Sequence, residues 1–182
     1  MSGRTLEAVR RTQRATVALD KAVRDRLVPA CGPRTVAAAR VLAALTSRFV
    51  LVPAAAAAWT LGRVRGHNRM AAGGRAVVTA LAAETLAASA LKLAARRRRP
   101  HQRGRRSDTR SMPSGHTANV AAATTALALA TDNGAVLAVG MALAVLTAAS
   151  RIVVNRHWAS DGAAGLLLGC ASAKLAVRRS RS

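Results

Sequence analysis

The sequence predicts an all-α membrane protein, a helical bundle of about five transmembrane helices preceded by an N-terminal amphipathic helix. Apolar residues make up 51% of the 182 residues, yet aromatic residues make up only 2%, and 45 residues are alanine. Alanine buries little apolar area, so this composition is poorly suited to an ordinary water-soluble core. Long apolar segments alternate with arginine-rich segments, and the formal net charge is +22.

The same composition excludes other classes of protein. The chain is too apolar for a disordered basic tail. Its three aromatic residues, Phe49, Trp59 and Trp158, are too few to stack bases as single-stranded nucleic-acid proteins do, so no nucleic-acid partner is expected. Cys31 and Cys170 form no C-x-x-C pair and predict no disulfide framework. Carboxylates do not cluster along the chain, so we expect no metal site and no cofactor.

Residues 4–28 predict the N-terminal helix. Its apolar positions follow helical spacing and are Leu6, Val9, Val17 and Leu27. Basic residues lie between them. Such a helix can lie on an anionic membrane surface, or it can be an ordinary solvated helix that packs on the protein. Pro29 and Pro33 are expected to end it. We therefore divide the chain into an N-terminal helix, residues 1–34, and a membrane domain, residues 35–182.

Five apolar segments follow, and each predicts a helix. They are residues 41–61, 76–95, 117–131, 134–149 and 162–177. A transmembrane helix needs about 20 apolar residues, so the last three are short, and buried helices of a soluble protein are the alternative. Small residues let membrane helices approach closely, and the fourth segment has no charged residue. We therefore favour insertion into a membrane.

Polar motifs stand at the ends of these apolar segments. They run from Lys92 to Pro100, from Pro113 to His116 and from Ser150 to Asp161. If the helices alternate in direction across the bilayer, all three motifs lie at the same face. Separate parts of the chain can then build one site.

The cations of these motifs predict an anion-binding site. Lys92, Arg99 and Arg151 would repel one another unless an anion lay between them, and their side chains suit phosphate oxygens. Ser114 is a candidate helix cap, and Gly115 lets backbone approach a ligand closely. The N–H groups at a helix N-terminus favour an anion as well.

Two histidines and one aspartate supply candidate catalytic groups. His157 and Asp161 are four residues apart, which predicts that they share one face of a helix. The carboxylate can hold one imidazole nitrogen and make the other a nucleophile. His116 is then free to act as general acid on a leaving oxygen.

The motifs together resemble the three signatures of the type 2 phosphatidic acid phosphatase family, K-x6-R-P, P-S-G-H and S-R-x5-H-x3-D. Every signature position is filled, by Lys92, Arg99 and Pro100, by Pro113, Ser114, Gly115 and His116, and by Ser150, Arg151, His157 and Asp161. The motifs span residues 92–161, and the flanking apolar segments resemble the membrane core of the family. The same fold resembles vanadium haloperoxidases. Many bacterial members have six spans, whereas five are predicted here.

The resemblance implies metal-independent hydrolysis of phosphate monoesters or diphosphates, mostly of lipids. It implies that His157 attacks phosphorus and forms a phosphohistidine, that Asp161 supports it, and that His116 protonates the leaving group. The phosphate-binding positions that it implies are Lys92, Arg99, Ser114, Gly115 and Arg151. Candidate substrates are decaprenylphosphoryl-phosphoribose, undecaprenyl diphosphate, phosphatidate and phosphatidylglycerophosphate.

The distribution of basic residues predicts the orientation in the cell membrane. With five spans, 19 basic residues lie on the side of the motifs and 7 on the other side. Since cytoplasmic loops are enriched in Lys and Arg, the site is expected to face the cytoplasm.

Three other interpretations remain open. The chain could be a non-catalytic membrane protein that binds anionic lipid head groups, a basic nucleic-acid-binding protein, or a soluble acid phosphatase of the same family. Glu84 lies inside a predicted span, where ionisable residues are often functional. It could pair with a buried polar group or a substrate hydroxyl, or lie in a water-exposed cleft.

Overall fold

A computed structural model of the protein describes residues 3–100 and 108–179, and the regular secondary structure in these residues is helical throughout. The helices are α1 (Gly3–Ala30), α2 (Pro33–Leu45), α3 (Arg48–Val64), α4 (Asn68–Ala95), α5 (Gly115–Thr131), α6 (Gly134–Val153) and α7 (Ala159–Arg179). Of the features that the sequence predicts, the side chain of Val9, residues 101–107 of the arginine-rich segment and Arg181 lie outside the described residues. The all-α prediction is confirmed.

Helix α1 corresponds to the predicted N-terminal helix and packs against α6 and α7. It continues through Pro29 to Ala30, two residues beyond the predicted end. Pro33 begins α2. Proline has no backbone N–H, and this does not weaken a helix at its first position, because N–H groups of the first turn have no intrahelical acceptor. The division at residue 34 stays a prediction.

The first apolar segment, predicted as one helix over residues 41–61, is two helices. Helices α2 and α3 meet at an angle of 43° around Thr46 and Ser47. The Thr46 hydroxyl donates to the carbonyl of Leu42 at 2.7 Å, and Ser47 has an extended backbone. Hydroxyl side chains that bond to nearby backbone compete with helix continuation, which accounts for the break.

Helix α5 is the centre of the bundle and packs against α4, α6 and α7. The core around it is mostly alanine, and the fully buried alanines include Ala80, Ala122, Ala126 and Ala173. A Cβ placed on Gly165 of α7 would lie 2.6 Å from the carbonyl oxygen of Ser114, so the two backbones are nearly in contact there. Such close packing holds the start of α5 against the start of α7.

Two helices, α4 and α6, are long and apolar enough to cross a membrane, and the bent pair of α2 and α3 makes a third if it is one span. The shorter α5 and the more polar α7 pack between them. Large apolar side chains remain exposed on the outside of the bundle, among them Phe49, Val64, Leu86, Val139 and Leu167.

Candidate active site

A cavity of about 520 Å³ opens where α4 ends, α5 begins and the chain passes from α6 to α7. Six of the eight predicted site residues line it: Lys92, Arg99, Gly115, His116, Arg151 and His157. The structure therefore brings the three sequence motifs together at one end of the bundle, as predicted. The other two residues, Ser114 and Asp161, are fully buried directly behind the lining.

His157 lies in the connection between α6 and α7 and not in a helix. The chain turns at Asn155, which has a left-handed backbone with φ of 56°, and α7 begins only at Ala159. The prediction that His157 and Asp161 share a helical face is therefore wrong, although the two side chains do lie together. His157 Nδ1 is 3.5 Å from Asp161 Oδ2, and its Nε2 is 3.5 Å from a terminal nitrogen of Arg99.

Asp161 is held by donors from three parts of the chain. Its Oδ2 accepts from the hydroxyl of Ser111 at 2.5 Å and from the backbone N–H of Trp158 at 2.9 Å. Its Oδ1 accepts from the guanidinium of Arg97 at 2.7 Å. The contact with Trp158 is half of a capping box, in which a side chain of the first turn bonds the N–H that precedes the helix. Asp161 thus fixes the start of α7 and approaches His157 at the same time.

His157 is neutral under ordinary conditions. Burial lowers the pKa of its imidazole, Asp161 opposes this shift, and the charges of Arg99 and Arg151 lower the pKa further. A neutral imidazole with Nδ1 toward a carboxylate presents Nε2 to the cavity as a nucleophile.

The first turn of α5 contributes backbone to the cavity. Gly115 is so close to Lys92 that a Cβ there would lie 3.3 Å from the lysine Nζ. Ser114 occupies the N-cap position, but its side chain makes no capping hydrogen bond. The predicted position of Ser114 at the helix start is therefore right, but the predicted hydrogen bond from its side chain is not made. The hydroxyl of Ser114 instead accepts from the hydroxyl of Thr117 at 3.0 Å.

Arg99 is anchored at the rim of the cavity. Its Nε donates to Asp108 at 2.7 Å, and one terminal nitrogen reaches the carbonyl of Arg156 at 3.3 Å. The backbone N–H of Arg110 lowers the pKa of Asp108, and the charge of Arg99 lowers it further. Asp108 therefore stays ionised and holds the guanidinium in place.

Cations outnumber acids on the cavity wall. Among the described residues that line it, the cations are Arg48, Lys92, Arg99, Arg110, Arg151 and Arg156, and the acids are Glu84 and Asp108. Nε of Arg151 is buried and has no hydrogen-bond partner within the described part of the chain. Together with the N-terminus of α5, these groups can bind a tetrahedral oxyanion beside Nε2 of His157.

Glu84 lies deeper along the same cavity and is only 1% exposed. Its Oε2 is 3.4 Å from the hydroxyl of Thr85, and its Oε1 has no hydrogen-bond partner among the described residues. Arg48 and Asn119 line the cavity with it. Glu84 lines the cavity but is not water-exposed, so the structure favours the predicted pairing with a buried polar group or a substrate hydroxyl over the predicted water-exposed position.

Sequence reasoning missed the side chains behind the cavity: Asp20, Arg97, Ser111 and Ser160. Arg97 is one of four consecutive arginines, and Asp20 is one of three acids on a basic helix, so neither is distinguished by its neighbours. No group of three or more His, Cys, Asp or Glu side chains that could hold a metal ion is found in residues 3–100 and 108–179.

Comparison with known proteins identifies the family of the chain. The sequence matches the family model of the PAP2 superfamily over residues 73–181, more than half of the chain. None of the curated proteins compared with the chain matches it.

Two solved structures share the fold. A transmembrane PAP2-type phosphatidylglycerolphosphate phosphatase from Bacillus subtilis is 22% identical, with a TM-score of 0.74 over 92% of this chain and 87% of that chain. Aquifex aeolicus LpxE is 20% identical, with a TM-score of 0.69 over 90% of this chain and 95% of that chain. The predicted membrane helical bundle is confirmed, although two or three spans, and not five, are long and apolar enough in the described residues. The chain belongs to the PAP2 superfamily.

Proposed function

We propose that the chain hydrolyses a phosphomonoester or diphosphate of a lipid through a phosphohistidine on His157. The observation that carries the proposal is the position of His157, with Asp161 behind it and Nε2 toward a cationic cavity. Lys92, Arg99 and Arg151, with the backbone at Ser114 and Gly115, hold the phosphoryl oxygens.

The reaction has two steps. Nε2 of His157 attacks phosphorus, the bond from phosphorus to the ester oxygen breaks, and His116 donates a proton to that oxygen. Water then attacks phosphorus, the bond from phosphorus to Nε2 of His157 breaks, His116 accepts a proton from the water, and inorganic phosphate leaves. Asp161 stabilises the positive charge that the imidazole gains in the first step. No metal ion or cofactor takes part.

The substrate carries its phosphate at the membrane surface, since the cavity lies at the ends of apolar helices. Phosphatidylglycerophosphate, the substrate class of the Bacillus subtilis neighbour, is one candidate. Phosphatidate, decaprenylphosphoryl-phosphoribose and undecaprenyl diphosphate are the others. We place the site on the cytoplasmic face of the cell membrane, because most basic residues outside the spans lie on its side.

The test is phosphate release by the purified protein in detergent, with EDTA present, from each of these four lipids. We expect release that EDTA does not reduce, and a loss of at least about 10³-fold in His157→Ala, since a nucleophile is removed. His67→Ala is the matched control, because His67 precedes α4 at the opposite end of the bundle, and it should retain full activity.

The intermediate gives a second readout. Acid-labile, base-stable phosphate should appear on the wild-type protein during turnover and be absent from His157→Ala. Folded wild-type protein that binds these lipids and releases no phosphate from any of them would instead favour the non-catalytic lipid binder.

A further inference from the structure

Helix α1 reaches the back of the active site through Asp20. This carboxylate is only 1% exposed, although most of α1 is exposed. One oxygen accepts from the backbone N–H of Ser160 at 2.8 Å, and the other accepts from the Ser160 hydroxyl at 2.7 Å. The second oxygen also accepts from the guanidinium of Arg97. Ser160 lies in the first turn of α7, beside Asp161.

Arg97 joins this contact to the catalytic carboxylate. One terminal nitrogen donates to Asp161 at 2.7 Å and to the hydroxyl of Ser160 at 2.6 Å, while the other nitrogen donates to Asp20. Only a guanidinium has this fork of donors, so a single side chain connects α1 with the carboxylate behind His157.

A second contact from α1 holds the other side of the same connection. Nε of Arg24 donates to the side-chain oxygen of Asn155 at 2.7 Å. Asn155 is the left-handed residue at which the chain turns before His157. Residues of α1 therefore bind the chain two residues before His157 and three residues after it.

These contacts do not form part of the substrate site. The described residues that line the cavity do not include Asp20, Arg24 or Arg97. A carboxylate as deeply buried as Asp20 is stable only with charged and hydrogen-bonding partners, and here all of its partners lie next to the catalytic residues. The network thus acts on the position of His157 and Asp161, not on the phosphate.

We propose that Asp20, Arg24 and Arg97 form a clasp through which the N-terminal helix positions His157 and Asp161 for attack. The expected effect on the rate rests on the proposed function, whereas the contacts of the clasp do not depend on that function. All three are positioning residues. Loss of the clasp should lower kcat and leave substrate binding unchanged, because displacement of a nucleophile by about 1 Å costs on the order of 10²-fold in rate.

The test compares Asp20→Asn and Arg97→Lys with the wild type. Each variant should lower kcat about 10- to 100-fold. KM for the lipid and Ki for inorganic phosphate should stay within about twofold, since the phosphate-binding residues are unchanged. The double variant should be little slower than either single variant, because residues of one network are not additive.

Matched controls are Glu7→Gln on α1 and Arg98→Lys beside Arg97, both exposed, which should retain wild-type kcat. Ser160→Ala keeps every charge and provides a milder variant if Asp20→Asn does not fold. Thermal unfolding in detergent measures the folded fraction of each variant. Wild-type kcat in folded clasp variants, or a fall in kcat matched by an equal rise in KM, overturns the proposal.

Hydrogen exchange separates the clasp from the proposed chemistry. Backbone amides of residues 154–161 should exchange about tenfold faster in Asp20→Asn than in the wild type, whether or not a lipid is hydrolysed. Unchanged exchange in these residues overturns the clasp. Absence of phosphate release from the wild type, with faster exchange in the variant, overturns the proposed function alone.

Discussion

At the scale of single residues, the protonation state of His157 limits the reaction. Burial lowers the pKa of His157, and Asp161 opposes that shift. Since the neutral form of His157 attacks, the loss of activity at low pH follows the protonation of His157 through this lowered pKa. We expect the acid limb of kcat/KM below the usual value for histidine of about pH 6.5.

Asp161→Asn provides the comparison for this prediction. It removes the carboxylate that raises the pKa, so the acid limb should move to still lower pH while kcat falls. Both proteins are measured on the same substrate, so the ionisation of the substrate affects both pH profiles equally and does not contribute to their difference. An acid limb that moves to higher pH in Asp161→Asn would contradict this account of the electrostatics.

At the scale of elements, the crossing of α5 and α7 sets the geometry of the site. The backbone N–H of Ser114 donates to the carbonyl of Asp161 at 2.9 Å, and Gly165 lets the two helices approach that closely. Gly165→Ala should destabilise the protein by about 1–3 kcal/mol, because its Cβ would overlap the carbonyl of Ser114. Gly134→Ala is the control, with nothing within 4 Å of the added Cβ.

Thermal unfolding in detergent measures the difference, at about 2–4 °C per kcal/mol for a chain of this size. Equal unfolding temperatures for the two variants would show that the helices can separate without cost. Activity of Gly165→Ala should fall as well, since the start of α5 moves relative to Asp161.

The elements were predictable to different degrees, for physical reasons. Apolar segments predicted α5, α6 and α7 to within four residues at each end, because charged or turn-forming residues stand there. Helix α4 begins at Asn68, eight residues before the predicted start, because it continues through Arg69 and Arg75. The break at Thr46 and Ser47 was not predictable, since apolar residues flank it on both sides. The motifs placed His157 correctly in the cavity but wrongly in a helix. The pair of Asp20 and Arg97 is separated by 77 residues, and nothing local in the sequence marks it.

At the scale of the whole molecule, charge predicts orientation. With the five predicted spans, the sequence assigns 19 basic residues to the side of the cavity and 7 to the side of the connection between α3 and α4. We expect Arg65→Cys, in a background with Cys31→Ser and Cys170→Ser, to react with a membrane-impermeant maleimide in intact cells. Arg98→Cys should react only after permeabilisation. The opposite labelling pattern would place the active site outside the cell.

The alanine core also determines how a mutational scan of this protein should be read. Scans of ordinary cores detect buried positions because truncating leucine or phenylalanine leaves a hole. In the described residues, most fully buried apolar positions already carry a single methyl group, as at Ala80, Ala122, Ala126 and Ala173. Truncation has almost nothing to remove at them, whereas enlargement meets a neighbouring backbone. In this protein, intolerance of larger side chains would therefore mark the apolar interior, and an alanine scan would pass over most of its positions.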